Sequence, residues 1–230
     1  MSEKIVPACV GFIMDGNRRW AKAKGLPTLK GHYEGGETLK RIVQAAKKLG
    51  IAHVIFFTFS TENWKRTPEE VSYLLDLIER VITRDLDSFH AEGGVLHFTG
   101  DVSRFPKKLQ EIFAAARLKT KDNGGPHIYF ALNYGGRAEI LSAVREIVAE
   151  NPKAEDITEE YFSSHLQTEG MPDPDIIIRT SGEMRLSGFL PWQSVYSELF
   201  FTNTLWPDFT EEEFRKIIEE YSARERRIGK

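Results

Sequence analysis

The sequence is poor in cysteine and in long apolar runs. Cys9 is its only cysteine, so no disulfide can form within the chain. No stretch approaches the roughly 18 to 20 apolar residues that a membrane helix needs, and residues 1–7 lack the apolar segment of a secretion signal. We therefore expect a cytoplasmic protein in which Cys9, inside an apolar run, packs rather than reacts.

The sequence also lacks an excess of charge of either sign. It has 31 lysine and arginine residues against 34 aspartate and glutamate residues, which gives a formal net charge of −3. This balance argues against bulk attraction to nucleic acid or to an anionic membrane. We predict no nucleic-acid partner, and any site for an anion must be built locally.

Repeats, low-complexity tracts and linkers rich in proline, glycine or serine are absent as well. A chain of 230 residues with 41% hydrophobic composition can bury a substantial core. We predict one domain over residues 1–230, with a flexible N-terminus at 1–7 and a C-terminal tail at 223–230.

What the sequence does contain is an alternation of short apolar runs with helical patterns. The runs are too short and too uniformly apolar for half-exposed strands, and they predict buried parallel strands. They are Val10–Met14, His53–Phe59, Val95–Phe98, His127–Leu132, Asp175–Ile178 and Glu198–Phe201.

Helical patterns with clear start signals separate these runs. Thr67 can cap a helix in which Pro68 is the first residue and Glu70 completes a capping box. Thr210 and Glu213 give the last helix a similar start. We predict a single-domain α/β fold with a mainly parallel central sheet of about six strands flanked by helices. Ligands in such sheets bind at the carboxyl ends of the strands.

Polar residues follow the first predicted strand, at the edge of the sheet where the strands' carboxyl ends lie. Asp15, Gly16 and Asn17 precede two guanidinium groups, on Arg18 and Arg19. A helix starting here would offer backbone N–H groups to a phosphate, and Asp15 could hold a divalent metal against the phosphate oxygens. The alternative is that Asp15 only caps the helix and that both arginines are solvated.

Two further strands deliver polar clusters to the same edge. The second is followed by Ser60–Arg66, for which the alternative is a capped turn with Trp64 packed on the next helix. The fifth is followed by Arg179–Ser187, whose arginines suit bidentate capture of phosphate. Because adjacent strand ends converge on one crevice, we predict that these loops surround one site. Glu198 would be a metal ligand as a companion of Asp15, and otherwise forms a surface ion pair.

Nucleotide and zinc sites do not fit the sequence. A Walker-type phosphate loop is missing, and Gly31 to Gly36 has His32 and Glu34 where a dinucleotide loop needs glycines. The six histidines show no zinc spacing and have no cysteine partner.

Five ordered motifs resemble those of the cis-prenyltransferases, the family of undecaprenyl diphosphate synthase, and the match runs essentially from Val10 to the C-terminus. The motifs are Met14-Asp15-Gly16-Asn17, Phe59-Ser60-Thr61-Glu62-Asn63-Trp64, Leu132-Asn133-Tyr134-Gly135-Gly136-Arg137, Arg179-Thr180-Ser181-Gly182-Glu183 with Arg185 to Ser187, and Trp206-Pro207-Asp208-Phe209.

The resemblance implies a magnesium-dependent transferase that condenses isopentenyl diphosphate with an allylic diphosphate, such as farnesyl or geranyl diphosphate. Such an enzyme extends a cis-polyprenyl diphosphate, releases diphosphate, and here would serve synthesis of an undecaprenyl-type carrier lipid. The alternative is a non-catalytic lipid-binding partner subunit of a prenyltransferase complex, which would be expected to lack Asp15, Arg179 and Glu198. A phosphohydrolase with Asp15 as nucleophile is less well supported, because no Asp-x-Asp motif is present.

The resemblance also assigns roles to residues. Asp15 would bind magnesium, with Glu198 completing the metal site. The diphosphate of the allylic primer would be surrounded by Gly16, Asn17, Arg18, Arg19 and His32, with Trp20 beside them. The diphosphate of isopentenyl diphosphate would be held by Arg179, Arg185 and Ser187, with Leu186 between the last two. The reacting centre would be lined by Ser60, Thr61, Glu62, Asn63, Trp64 and Arg66.

Proton removal and assembly are implied in the same way. Asn63 is the family's proposed proton acceptor, yet an amide is a poor base. The alternatives are that Asp15 or the departing diphosphate takes the proton and that Asn63 orients it. The C-terminal Arg227-Ile228-Gly229 matches a family motif in which Arg227 and Gly229 of one subunit reach the other's active site, so the resemblance implies a homodimer.

The growing hydrocarbon needs dry storage. We predict an apolar tunnel between the helices of residues 37–49 and 69–91. Its walls would include Thr58, Phe59, Val71, Leu75 and Ile78, and the alternative is that this stripe is simply core. Release of the product would involve transient contact with a membrane surface.

The sequence departs from the bacterial pattern of the family at four positions near the predicted phosphate contacts. Arg18 stands where many members have glycine, and Thr28 where many have an arginine; Arg18 or Lys30 are candidates to restore that charge. Met184 and Gly188 replace other common side chains.

Overall fold

A six-stranded sheet forms the centre of the molecule. The structure, a computed structural model, describes residues 5–224. The strands run in the order β3-β4-β2-β1-β5-β6, and all neighbouring pairs are parallel. Their bounds are β1 Cys9–Ile13, β2 His53–Ser60, β3 Val95–Thr99, β4 His127–Tyr134, β5 Ile176–Arg179 and β6 Glu198–Phe201. The predicted α/β class and parallel sheet are confirmed.

Seven α-helices connect or flank these strands in the described part of the chain. They are α1 Asn17–Ala23, α2 Thr28–Leu49, α3 Pro68–Ala91, α4 Lys107–Thr120, α5 Gly136–Glu150, α6 Glu159–Ser163 and α7 Glu211–Ala223. The predicted caps are present, since the Thr67 hydroxyl accepts the N–H of Glu70 at 3.3 Å and that of Thr210 accepts the N–H of Glu213 at 3.1 Å. None of the helices described is long and apolar enough to span a membrane.

The strands bury both of their faces, as parallel strands in α/β domains do. On one face, alternate strand residues such as Phe12 and Phe56 pack with α2, α3, α4 and α7. On the other face, Ile13 and Ile55 pack with Met171, Phe189 and Leu190. The sheet therefore lies between two apolar layers.

The strand order fixes where the predicted loops meet. β1 lies between β2 and β5, so the polar segments that follow these three strands emerge side by side at one edge. The register between β2 and β4 shifts around Phe57 and Phe59, which marks an irregularity just before that edge. Thr58, inside it, faces a cavity described below.

Candidate active site

Asp15 stands immediately after β1, where the chain turns into α1. The turn requires a left-handed backbone at Gly16 (φ 107°), whose N–H donates to Asp15 Oδ1 at 2.7 Å. A side chain at Gly16 would also press against Leu205. The other carboxylate oxygen, Oδ2, accepts a hydrogen bond from Arg179 Nη2 at 2.9 Å and lies 3.6 Å from Arg19 Nη2.

These contacts keep Asp15 ionised. Partial burial on its own raises the pKa of the carboxyl, but the Arg179 hydrogen bond and charge, the Gly16 N–H and the Arg19 charge outweigh burial and hold the pKa below its ordinary value. Because a third of the side chain remains exposed, Asp15 is a charged oxygen ligand open to the crevice.

Arg179, at the end of β5, ties two loops together. Its side chain is only 5% exposed, and besides Asp15 it donates to Ser187 Oγ at 2.8 Å and to the carbonyl of Arg185. Its Nε is buried without a partner. A buried guanidinium that keeps a free donor can bind a further anion.

The loop after β5 has strained backbone at the same place. Ser181 and Ser187 have positive φ values of 81° and 51°, although neither is glycine. Ser181 accepts hydrogen bonds from Arg19 through both its carbonyl and its hydroxyl. The loop is thereby anchored to the first one, while the Arg185 side chain is largely exposed and paired with Glu183.

The loop after β2 is held by its own side chains. Asn63 Oδ1 accepts the backbone N–H of Ser60 at 3.0 Å in a capping box. Trp64 Nε1 donates to Asn133 Oδ1 at 2.8 Å, and Arg66 donates to Glu70 at 2.7 Å. The capped turn named above as the alternative is therefore present, but the same turn also directs Asn63 and Arg66 into the crevice that contains Asp15.

His32 reaches this crevice from α2. Burial, together with the charges of Arg66 and Arg18, lowers its pKa to about 4, against a smaller opposing effect of Glu70. In the region that the structure describes, His32 Nε2 and Asn17 Oδ1 are buried polar atoms without a hydrogen-bond partner. Buried polar atoms are normally satisfied, so these two atoms call for a ligand or water in the crevice.

The crevice divides into a polar part and an apolar part. The polar part comprises adjoining pockets of about 730 and 600 Å³, and both contain Asp15, Asn17, His32 and Arg66. The apolar part is a cavity of about 640 Å³ between α2 and α3, and it shares Asn17 and His32 with the polar part. A ligand with an anionic head and an apolar tail would match this division.

The tunnel prediction succeeds only in location. Thr58 and Ile78 line the apolar cavity. Phe59 is instead fully buried in the core, Leu75 packs against that core, and Val71 is not part of the wall. Within residues 5–224, the cavity does not continue as a tunnel.

Some predicted site residues lie elsewhere. Trp20 is buried and donates to Asp208 at 2.7 Å. Leu186 packs on the face of the sheet that carries Ile13 and Ile55. Thr61 and Glu62 line a separate pocket of about 850 Å³ that also contains Ser187. Arg227 and Gly229 are outside the described residues.

Glu198 requires a correction. It is the first residue of β6, paired in register with Ile176, the first residue of β5. Parallel strands begin at one edge and end at the other, so Glu198 lies at the edge opposite Asp15. Its carboxylate pairs with Arg224 at 2.5 Å, which is the surface ion pair given above as the alternative. Within residues 5–224, no cluster of three or more His, Cys, Asp or Glu side chains could hold a metal.

Sequence reasoning missed two supports of the site. Asn133 links the second loop to the segment after β3, because it accepts from Trp64 and donates to the carbonyl of Asp101 at 2.8 Å. Trp206 Nε1 donates to the carbonyl of Gly35 and its ring lines the apolar cavity. Both residues belong to the quoted motifs, which was the available signal.

Known proteins are similar to this chain in fold and sequence. Residues 13–229 match the family model described as "Putative undecaprenyl diphosphate synthase". The chain is 46% identical over 232 residues to an isoprenyl transferase of Clostridium perfringens, covering 99% of this chain and 91% of that protein. It is 47% identical over 226 residues to an isoprenyl transferase of Thermotoga maritima, covering 97% of each. Lavandulyl diphosphate synthase of Lavandula x intermedia, solved in complex with dimethylallyl diphosphate, is similar in structure with a TM-score of 0.94, 34% identity and coverage of 98% and 99%.

Proposed function

Because this chain belongs to the undecaprenyl diphosphate synthase family and is a cis-prenyltransferase that elongates isoprenoid chains, we propose that it condenses isopentenyl diphosphate with an allylic diphosphate in the crevice around Asp15. One observation carries the proposal. A cluster of arginines around an ionised carboxylate opens directly into an apolar cavity, which suits a diphosphate head joined to a hydrocarbon tail.

The allylic diphosphate is proposed to bind where α1 approaches α2. Arg18, Arg19, Asn17 and His32 line this part of the crevice with Gly16. The unpartnered Nε2 of His32 supports the proposal, because a neutral imidazole protonated at that nitrogen would donate to a phosphate oxygen. The related synthase solved with dimethylallyl diphosphate supports the same substrate class.

The diphosphate of isopentenyl diphosphate is proposed to bind beside Arg179, Arg185 and Ser187. Arg179 is already fixed by Asp15 and Ser187, so it needs little reorganisation to hold a second anion. Among the residues that the structure describes, the exposed Arg185 side chain pairs with Glu183 at the loop surface, which leaves it able to turn toward an incoming substrate.

The Arg185 assignment can be tested by kinetics. We expect Arg185→Ala to raise the KM for isopentenyl diphosphate by about tenfold or more, because a charge-assisted hydrogen bond is worth about 1.5–3 kcal/mol. The KM for the allylic substrate should change little. Equal effects on both KM values would contradict the assignment, and Arg117→Ala, on α4, is a control for general loss of positive charge.

Magnesium is proposed to bind through Asp15 and the oxygens of a bound diphosphate. Mg²⁺ is commonly held by one or two carboxylates together with substrate phosphates, and Asp15 is ionised and partly exposed beside the unpartnered Oδ1 of Asn17. The ion would neutralise charge that develops on the leaving diphosphate. Glu198 is left out of this proposal because of its position at the opposite edge.

Asn63 is proposed to orient the reacting groups. Its carbonyl oxygen already accepts the Ser60 N–H, and an amide is a weak base. Asp15 has a lowered pKa and is therefore also a weak base. The leaving diphosphate remains the strongest candidate acceptor for the proton lost from isopentenyl diphosphate.

A homodimer is proposed as the working form, acting in the cytoplasm with transient contact with a membrane surface during product release. An exposed apolar stripe on α5, formed by Leu141, Val144 and Val148, supports the dimer. The spacing of these residues places them on one helix face. Arg227 and Gly229 are proposed to reach the partner's site, as the family resemblance implies.

The test is product analysis. Purified protein with Mg²⁺, isopentenyl diphosphate and geranyl or farnesyl diphosphate should yield longer prenyl diphosphates, identified by mass spectrometry, together with released diphosphate. Phosphate release without carbon–carbon bond formation would refute the proposal, as would stimulation of a second prenyltransferase without any product of this chain's own.

A further inference from the structure

An outer groove lies between α2 and α3, beside the apolar cavity. It has a volume of about 550 Å³. Its walls include Tyr33 from α2 and Tyr73, Leu77, Arg80, Val81 and Arg84 from α3. Leu77 and Val81 also line the apolar cavity. These two side chains are therefore a shared wall between the cavity and the outer groove.

Beside this wall, α2 has a glycine, Gly36, which has no side chain. Gly36 lines the cavity, and a Cβ at this position would come within 3.4 Å of Val81 Cγ2. The glycine leaves a space beside Val81 that any other residue would begin to fill. Leu77 has more than one rotamer available in a helix, so its rotation can change the width of the wall without movement of a helix.

Polar contacts join the two helices on either side of the wall. The Tyr73 hydroxyl donates to the carbonyl of Leu29 at 2.9 Å. About three helical turns later, Arg84 donates to Glu37 at 2.7 Å. Leu77 and Val81 lie between these contacts on α3. Polar contacts therefore hold the two helices together on both sides of the apolar segment that these two residues form.

We propose that this segment is a side port through which the distal hydrocarbon end of the growing product passes from the apolar cavity into the outer groove. The inference rests on the proposed function and specifies the path of its product. The cavity is bounded by packed side chains of α2 and α3, whereas a polyprenyl chain grows with every condensation. Once the tail reaches the Leu77–Val81 wall, the groove is the adjoining apolar space, and elongation can continue with the diphosphate still held beside Asp15.

Substitution of Val81 tests the port. Val81→Trp should block it, so that the product distribution shifts toward shorter chains by one or more isoprene units. Val81→Ala should widen it and increase the share of long chains. Asp76→Trp is the matched control, because Asp76 is exposed on the same helix and lines neither space; its products should have wild-type length. A wild-type length distribution from a folded Val81→Trp would overturn the proposal.

A fluorescence measurement provides an independent test. Cys9, the natural cysteine, is buried, and burial raises the pKa of its thiol, so a cysteine introduced at Arg80 can be labelled selectively with a polarity-sensitive dye. The emission should shift to the blue when isopentenyl diphosphate is in excess and long chains form, and not with the primer alone. Long bound product without a shift would overturn the port, whereas absence of any condensation product would instead refute the proposed function.

Discussion

At the scale of single residues, Arg179 connects the two proposed diphosphate sites. It contacts Asp15 on one side and Ser187 on the other while remaining almost completely buried. A buried charge is retained only when it is paired and hydrogen-bonded. The proposed binding of two diphosphates around one guanidinium is therefore compatible with a stable folded protein before either substrate arrives.

Replacement of Asp15 by alanine should nearly abolish turnover. Loss of the carboxylate proposed to bind Mg²⁺ should remove several kcal/mol of transition-state stabilisation, so kcat should fall by at least about a hundredfold. The substitution should also lower the free energy of unfolding, because it removes the carboxylate that pairs with the buried Arg179, although Arg179 keeps its contacts with Ser187 and the Arg185 carbonyl. Single-turnover rates and circular dichroism measure the two effects. Asp122→Ala, on an exposed turn, is the control, and normal kinetics of Asp15→Ala would contradict the assignment.

His32 should make stability depend on pH. Its pKa falls from 6.5 to about 4 on folding, so between these values the unfolded chain binds a proton that the folded chain does not. The free energy of unfolding should therefore decrease as the pH drops from about 6.5 to about 4, by roughly 2–3 kcal/mol from this residue.

Urea denaturation of the wild type and of His32→Gln at several pH values measures this contribution. Burial also lowers the pKa of His97 to about 4. Because both proteins contain His97, the difference between them gives the contribution of His32 alone. The variant should have a shallower pH dependence, and identical slopes would contradict the prediction. Bound diphosphate should reduce the effect, because a nearby anion favours the imidazolium form.

The residues of the site were predictable to different degrees. Asp15, Arg179 and Asn63 followed from their places after short apolar runs, because strand ends converge in a parallel sheet. The position of Glu198 was predictable in the same way, because it opens the apolar run Glu198–Phe201 and the first residue of a parallel strand lies at the edge opposite the carboxyl ends; the motif assignment disagreed with this pattern and was wrong. The pairing of Asn133 with Trp64 joins residues 69 positions apart and left no local pattern to find.

At the scale of elements, close packing of α1 against α2 positions the part of the crevice where the allylic diphosphate is proposed to bind. Gly31 faces the carbonyl of Asn17 so closely that a Cβ would overlap the backbone, and a Cβ on Gly35 would reach Asn17 Oδ1 at 2.5 Å. Both glycines lie inside α2, where glycine is otherwise unfavourable. They are explained by the approach of α1, which carries Arg18 and Arg19.

Gly31→Ala should displace α1 and damage the site. The added methyl group meets backbone rather than a flexible side chain, so we expect a destabilisation of about 1–3 kcal/mol and a higher KM for the allylic substrate. Thermal unfolding and steady-state kinetics measure both. Gly124→Ala is the control, because Gly124 is exposed in the loop before β4 and a methyl group there would meet no atom within 4 Å. Equal effects of the two substitutions would contradict this account.

Element boundaries followed the sequence where local signals were strong. The helix predicted over 69–91 is Pro68–Ala91, with its cap at Thr67. α2 extends well before the predicted 37–49, to Thr28, because packing against α1 overrides the low helix propensity of its glycines. β5 begins at Ile176 rather than Asp175, whose side chain accepts the N–H groups of Ala8 and Cys9 instead.

At the scale of the whole molecule, the stripe on α5 should control assembly. Val148 is 71% exposed, so Val148→Asp should leave the isolated chain folded while placing a charge in the proposed interface. We expect the dimer dissociation constant to rise at least tenfold, equivalent to about 1.4 kcal/mol. Sedimentation velocity measures it. Leu118→Asp, at a similarly exposed position on α4, should not change the dissociation constant, and a dimer unaffected by Val148→Asp would show that the interface lies elsewhere.

The placement of β1 between β2 and β5 has a consequence for biosynthesis. Hydrogen bonds join Val10–Ile13 to Ile176–Arg179, segments separated by most of the chain. A nascent polypeptide leaving the ribosome therefore carries a half-paired β1, with an open backbone edge, until translation passes the region of Arg179. Catalytic competence arrives late in synthesis, and incomplete chains are exposed to aggregation during the interval.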